Sequence, residues 1–359
     1  MALTCLPDWP VDWDALRRCP QDPVHHAEGD VFTHLGMVLT ELEGLAGWRT
    51  LDEIRRRIVY HAVLLHDIAK PQCTRREDGR ITSRGHAARG ALDARRLLWE
   101  IGIPFEEREA VCGLVRHHMA PMHGLGDGAE ETAIRASQTA QCDLLCVLAE
   151  ADARGRICQD PRALLDNVAL FREYCAELGC LERPFPFASG HSRFEYFRSE
   201  GRDPRYHAFD STVTQVTMMA GLPGAGKDHW IRENRPDWPV VSLDRIREVR
   251  GIPHGGPQGE VAAEAREQAR GYLRERRPFV WNACSLNRDL RRRTIDLFAS
   301  YGARVEIVYV EAPKEVLYRQ NRQRDKVVPE AGIAKMLNKW EIPDVTECHD
   351  LVMVVPPAA

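Results

Sequence analysis

Residues 220–230 read AGLPGAGKDHW. Gly221 to Lys227 fits the spacing G-x-x-x-x-G-K, in which glycines let backbone N–H groups turn inward around phosphate oxygens. The context decides its meaning. VTQVTMMAG before the loop is strand-like and DHWIREN after it is helical, so the loop joins a strand to a helix N-terminus. There, Gly221, Gly224, Ala225 and Gly226 form a cradle, the helix dipole presents its positive end, and Lys227 neutralises the β/γ oxygens of a nucleotide. Position 228 is anomalous: such loops normally carry Ser or Thr, and this one carries Asp. A carboxylate is a better ligand for a hard cation than a hydroxyl, so Asp228 is expected to hold Mg²⁺ and to have its charge offset by it.

Working outward, PVVSL, PFVWNA, ARVEIVYVEA and LVMVV are four more short β-rich runs, with helical stretches between most of them. Alternating strands and helices imply an α/β domain built on a parallel sheet over residues 211–359. In VVSLDRIR, Asp244 falls just past the second strand, where a carboxylate could take a proton from an attacking hydroxyl. Arg247, three residues on and on the same helical face, could hold a phosphate of the acceptor. The run YRQNRQRDK places Arg319, Arg322 and Arg324 on a helix-to-loop segment that could close over the γ-phosphate; the plainer reading is a solvated basic face.

This half resembles the polynucleotide 5′-kinases, on GLPGAGKD, the Asp-x-x-Arg pair Asp244 and Arg247, and the Arg-rich segment ending in VVP at 327–329. The resemblance implies Lys227 as phosphate lysine, Asp244 as general base, Arg247 and Arg319 as substrate contacts, and Arg322 or Arg324 as the arginine on the γ-phosphate. It also implies ATP or another NTP with Mg²⁺.

The first half has a different character. From about Asp30 to Arg183 apolar residues recur at three- and four-residue spacing, in segments parted by short Gly/Pro/Asp breaks, which predicts a nearly all-helical domain over 1–185. Residues 186–210 mix Pro and Gly with many aromatics, which predicts a linker that packs on something. Nine of the fourteen histidines lie within the first 123 residues, a reason to look for a metal there. LLHDIAKP (64–71) carries the doublet His66-Asp67 on a predicted helix; His34 before it and Asp152 after it supply further ligands, and His86 and His118 a second position. His117 competes with His118 for that role. Lys70, four residues after His66, is expected on the same helix face, where it would neutralise a phosphate oxygen. Imidazole with carboxylate suits a borderline or hard divalent metal, which would acidify a bound water and polarise phosphorus.

That constellation resembles the HD-type metal-dependent phosphohydrolases. Both modules in this order resemble the bacterial HD-Pnk end-healing enzymes, over essentially the whole chain. The resemblance implies removal of 2′,3′-cyclic phosphates and 2′- or 3′-phosphates by the first domain, and phosphorylation of 5′-OH ends by the second. It further implies one or two transition metals (Mn²⁺, Ni²⁺, Co²⁺ or Zn²⁺) in the first domain, RNA or DNA ends as substrates, and a functional link to a nucleic-acid ligase.

Bulk properties narrow the classes. A formal net charge of −4 argues against a protein that coats nucleic acid, although basic runs such as RDLRRR (288–293) leave room for a local cationic groove. Eleven cysteines without paired CxxC spacing indicate neither a disulfide framework nor a zinc ribbon. Apolar runs are too short for a bilayer, and MALTCLPDWPVDWD lacks a basic n-region, so a cytoplasmic protein without a membrane partner is expected. Two other functions share these motifs: a small-molecule kinase fused to a nucleotide phosphohydrolase, and a non-catalytic ATP-dependent sensor with a regulatory HD site.

Overall fold

The computed structural model describes residues 7–123, 126–253, 256, 258–324 and 326–355, which divide into two units between Pro186 and Phe187. The expected order, a helical domain followed by an α/β domain, is met by these two units.

The first unit is helical. Its main elements are α1 (Val31–Gly44), α2 (Glu53–Leu65), α3 (His86–Glu100), α4 (Phe105–His117), α5 (Cys142–Arg154) and α6 (Pro161–Glu177). Asp30 fixes the start of α1, accepting from the Thr33 amide at 2.9 Å and satisfying one donor that the first turn leaves unpaired. Asp52 and Asp160 do the same for α2 and α6. Along α1 the buried residues Val31, Leu35, Val38, Leu39 and Leu42 form one apolar stripe. In α5, ten of thirteen residues are buried, so that helix is enclosed on nearly every side. Gly155 caps its C-terminus, and glycine is required there because a Cβ would lie 2.7 Å from the Val38 backbone of α1.

Two details differ from the helical expectation. The segment Arg75–Thr82 is an antiparallel hairpin, Arg75–Glu77 against Arg80–Thr82, turned by Asp78 (φ 49°) and Gly79 (φ 76°). Asp-Gly with both φ positive is a favoured two-residue hairpin turn, and the dipeptide is the signal for it in the sequence. Helix α2 also stops at Leu65, so His66 and Asp67 lie in the turns after it, and Lys70 opens a separate short helix, Lys70–Cys73. The placement of Lys70 on a shared helix face with His66 is therefore corrected.

The second unit carries β1 (Thr214–Ala220), α7 (Lys227–Asn234), β2 (Val240–Ser242), α8 (Leu243–Arg250), α9 (Gln258–Arg274) and β3 (Phe279–Asn282). After these come α10 (Arg288–Ser300), β4 (Ala303–Val310), α11 (Lys314–Arg322), α12 (Glu330–Leu337) and β5 (Asp350–Val354). The five strands are all parallel in the order β2-β3-β1-β4-β5. Strand β1 sits centrally, with buried Val216, Met218, Met219 and Ala220. A strand covered on both faces needs such a largely apolar run, and its buried Thr217 is satisfied by donating to Glu306 Oε2 at 2.8 Å. Chain order reverses direction at β1, and ligands in open α/β sheets bind beyond the carboxyl ends of the strands at that point.

Residues 187–210 group with the second unit. Their helix Gly190–Arg198 is fastened by Arg193, whose guanidinium donates to Val345 O at 2.8 Å and His349 O at 3.0 Å.

Candidate active sites

In the first unit, six side chains singled out in the sequence converge, and they do so from helix ends. His34 lies in the first turn of α1, His66 and Asp67 follow α2, His86 opens α3, His118 follows α4, and Asp152 is in the last turn of α5. Three C-terminal helix ends meeting in one place present partial negative charge, which favours a cation there. His34, His66, His118 and Asp152 are at most 1% exposed, and Asp67 is 4% exposed.

Each imidazole is held by its Nδ1. His66 bonds Val63 O, His86 bonds Ser83 O and His118 bonds Val115 O, each at 2.8 Å. His34 Nδ1 meets Glu28 Oε1 at 2.9 Å. This network places the proton on Nδ1 in every case and leaves four Nε2 lone pairs turned inward. There they face other acceptors: His34 Nε2 lies 3.1 Å from Asp152 Oδ1, His66 Nε2 lies 3.3 Å from Asp67 Oδ2, and His86 Nε2 lies 3.2 Å from His118 Nε2. Lone pairs set against lone pairs in a buried centre need an electrophile between them. Among the described residues, His34 Nε2, His66 Nε2 and Asp67 Oδ1 have no hydrogen-bond partner. Two of the three candidate ligand groups among the described residues share Asp67: His34 with His66 and Asp67, and Asp67 with His86 and His118. Asp67 belongs to both, so these residues would hold one divalent ion or two.

The electrostatics agree for the carboxylates and His118. At His66, burial is outweighed by the carboxylates of Asp67 and Asp152, which raise the imidazole so that it takes up a proton more readily. Burial would raise the Asp67 carboxyl, but Lys70 and then His66 outweigh it and hold Asp67 well below its usual range. Asp152 is likewise held ionised against burial, chiefly by Arg156, whose guanidinium reaches it at 2.7 Å. Burial, reinforced by His66 and His86, pushes His118 down to about 3, so it is neutral and available as a ligand. Lys70 Nζ lies 2.7 Å from Asp67 Oδ2 and donates to Gln21 Oε1 at 2.6 Å, so its first contact is the ligand carboxylate. Of the histidine doublet, His118 enters the centre while His117 turns to Thr139 Oγ1 at 2.9 Å.

Sequence reasoning did not reach Glu28 or Arg156. Glu28 bonds Nδ1 of both His26 and His34 and accepts from the Ile157 amide at 3.0 Å. Its signal was the density of polar residues in HHAEGDVFTH, whose positions 26, 28 and 34 meet in space. A carboxylate behind a ligand imidazole fixes its tautomer and orientation. Glu28→Gln should therefore weaken metal retention by about 10- to 100-fold, measured by dialysis against a chelator and metal analysis. Unchanged retention would remove this role from Glu28.

In the second unit the loop takes the expected form. Gly221, Gly224 and Gly226 all have positive φ (135°, 82° and 107°), and a Cβ on Gly221 would lie 2.2 Å from Val310 O. No other residue fits there. Ala225 is buried beneath the loop, and Lys227 Nζ donates to Gly221 O and Leu222 O, both at 2.9 Å. Asp228 stands in the first turn of α7 and accepts from Asn282 Nδ2 at 2.6 Å.

Asp244 opens α8 and is bonded by Arg247 Nη1 at 2.6 Å, while Arg247 Nε donates to Gln258 Oε1 at 2.9 Å. Asp244 is 62% exposed, so the ion pair contributes no more than about 1 kcal/mol and Arg247 can exchange it for a phosphate at little cost. Arg324 Nη2 lies 4.0 Å from Asp244 Oδ2. Lys227, Asp228, Asp244, Arg247, Asn282 and Arg324 line one open groove of ≈ 2590 Å³. Arg319 and Arg322 do not line it; Arg322 lies 4.0 Å from Glu330 instead. Of the three arginines only Arg324, two residues past the end of α11, reaches the groove. The sequence pattern did not single out Asn282 or the groove-lining Arg293, although Arg293 belongs to the basic run at 288–293.

Residues 31–156 match the family described as HD domain, and residues 216–343 match the family described as AAA domain. A curated relative, the bifunctional uridylyltransferase/uridylyl-removing enzyme of Cereibacter sphaeroides, is 39% identical over 111 residues. That match covers 29% of this chain and 11% of the relative, so the chain spans about a tenth of that enzyme's length. Among solved structures, a "putative kinase" from Chloroflexus aurantiacus J-10-fl is 18% identical, covering 40% of this chain and 86% of the other, with a TM-score of 0.34. A gluconokinase from Sinorhizobium meliloti 1021 is 19% identical, covering 41% and 86%, with a TM-score of 0.30. The chain thus carries an N-terminal HD domain followed by a P-loop kinase-like domain. Among the described residues no helix is long and apolar enough to cross a membrane.

Proposed function

We propose that the chain is a bifunctional enzyme that heals broken nucleic-acid ends. The HD domain removes 2′,3′-cyclic phosphate and 2′- or 3′-phosphate from 3′ ends, and the kinase domain moves the γ-phosphate of ATP or another NTP to 5′-OH ends.

The observation that carries the polymer reading is the cationic lining of the kinase groove. Beyond Arg247 and Arg324, it includes Arg245, Arg266, Arg293 and Lys339. The guanidinium groups of Arg245, Arg266 and Arg293 have no ion-pair partner among the described residues, which leaves them available to successive phosphates. A small uncharged acceptor has no use for so much positive charge away from the phosphate-binding loop.

The assigned roles follow from position. Lys227 and the loop amides hold the β/γ phosphates. Asp244 takes the proton of the attacking 5′-hydroxyl, Arg247 orients the acceptor through its nearest phosphate, and Arg324 meets charge on the transferred group. In the HD domain, His34, His66, Asp67, His86, His118 and Asp152 would hold a divalent transition metal, or two. When bound, such a metal supplies an acidified water and polarises phosphorus. Lys70 positions Asp67 and keeps it ionised. A nucleic-acid ligase that joins 3′-OH to 5′-phosphate is the partner this chemistry would serve.

Transfer of ³²P from ATP should therefore be efficient to a 5′-OH oligonucleotide and poor to nucleosides and sugars, and its KM for the oligonucleotide should rise steeply with salt. Equal transfer to nucleosides would favour the small-molecule kinase. ATP binding with no transfer to any acceptor would favour the sensor.

A further inference from the structure

Strand β3 ends at Asn282 and pairs directly with β1, the strand that feeds the phosphate-binding loop. P-loop NTPases in general hold Mg²⁺ with a loop Ser or Thr and with an Asp from the Walker-B strand. Here the two side-chain types are exchanged. The carboxylate is on the loop, at Asp228, and the uncharged group is at the strand end, on Asn282. The two meet at 2.6 Å, and both line the groove beside Lys227. Asp228 Oδ2 has no hydrogen-bond partner among the described residues.

We propose that Asp228 and Asn282 form a transposed cation-holding pair, in which Asp228 supplies the single carboxylate ligand and Asn282 is the positioning residue that orients it. The proposal rests on the kinase reading above. Charge decides between the arrangements. One carboxylate beside a triphosphate gives a hard cation an anionic ligand. Two carboxylates at this separation would repel each other and the nucleotide. Two neutral groups would give the cation no charged ligand at all. Exchanging both residues preserves the total, so the Asp at position 228 is compensated at position 282. By donating to one oxygen, the Asn282 amide holds an exposed side chain in one orientation and leaves its second oxygen for the metal.

The test compares the affinity of the full chain for a non-hydrolysable ATP analogue in Mg²⁺ with that in EDTA; the ratio reads the metal's contribution. Asp228→Ser should reduce that ratio about tenfold or more, and Asn282→Ala should reduce it by about tenfold. Asn282→Asp alone should weaken binding in EDTA. The double substitution Asp228→Ser with Asn282→Asp should restore the ratio to within about threefold of the parent. A purely structural role would shift binding equally in both conditions, and thermal melts of each variant check folding. The proposal is overturned if the double variant is no better than Asp228→Ser, or if the single variants keep the parent's ratio. A parent protein that binds no nucleotide would instead overturn the kinase reading and, with it, the pair.

Discussion

Asp67→Ala should abolish the proposed 3′-end dephosphorylation, by about a thousandfold or more, and should leave the proposed 5′-phosphorylation within about twofold of the parent. The size of the effect follows from the position of Asp67. It alone belongs to both ligand groups, with Oδ2 toward His66 and Oδ1 toward His86. It is also the anchor of Lys70 Nζ, so its loss frees a buried ammonium among imidazoles. The sparing of the kinase follows from chemistry: that reaction draws on the phosphate-binding loop and ATP, whose residues lie in a separately packed unit. Release of a 3′-OH product and ATP-dependent labelling of a 5′-OH oligonucleotide measure the two outcomes side by side. Loss of metal from the purified variant provides an independent readout.

The second large effect is on the kinase and separates two reasons for failure. Lys227→Ala and Asp244→Ala should each lower 5′-phosphorylation by about 10²- to 10⁴-fold. Lys227 is held at the loop by Gly221 O and Leu222 O, where the phosphates would sit, so its removal should also weaken ATP binding. Asp244 is at the start of α8 and makes no hydrogen bond to that loop among the described residues, so its replacement should leave ATP binding near normal. Titration with an ATP analogue checks the distinction. Equal weakening in both variants would remove the base assignment from Asp244. Neither change should alter 3′-end dephosphorylation.

Much of this was legible in the residues because local and tertiary demands coincide. Gly221, Gly224 and Gly226 need the positive φ that only glycine adopts freely, so the loop is written in its glycines. The strands stand out because a central parallel strand such as β1 must be largely apolar. The six candidate ligands in the HD domain were visible as residue types that helices seldom carry on a buried face. What the sequence concealed depends on distance in three dimensions. Glu28 and His34 are neighbours through Nδ1 only because the chain before α1 turns back on it. Asn282 meets Asp228 across 54 positions, and nothing in either local segment announces it. The reach of Arg324, as opposed to Arg319 or Arg322, is fixed by where α11 ends. Helix periodicity also overran its limit at His66, where the α2 pattern continues in the sequence but the helix stops.

The most direct measurement uses one RNA oligonucleotide carrying a 5′-OH and a 2′,3′-cyclic phosphate, incubated with the full chain and read by mass spectrometry. With a divalent transition metal, Mg²⁺ and ATP, the product should gain a 5′-phosphate and end in a 3′-OH. Without ATP, only the 3′ end should change. An oligonucleotide left intact at both ends, by protein that phosphorylates a nucleoside or sugar under the same conditions, would contradict the end-healing account.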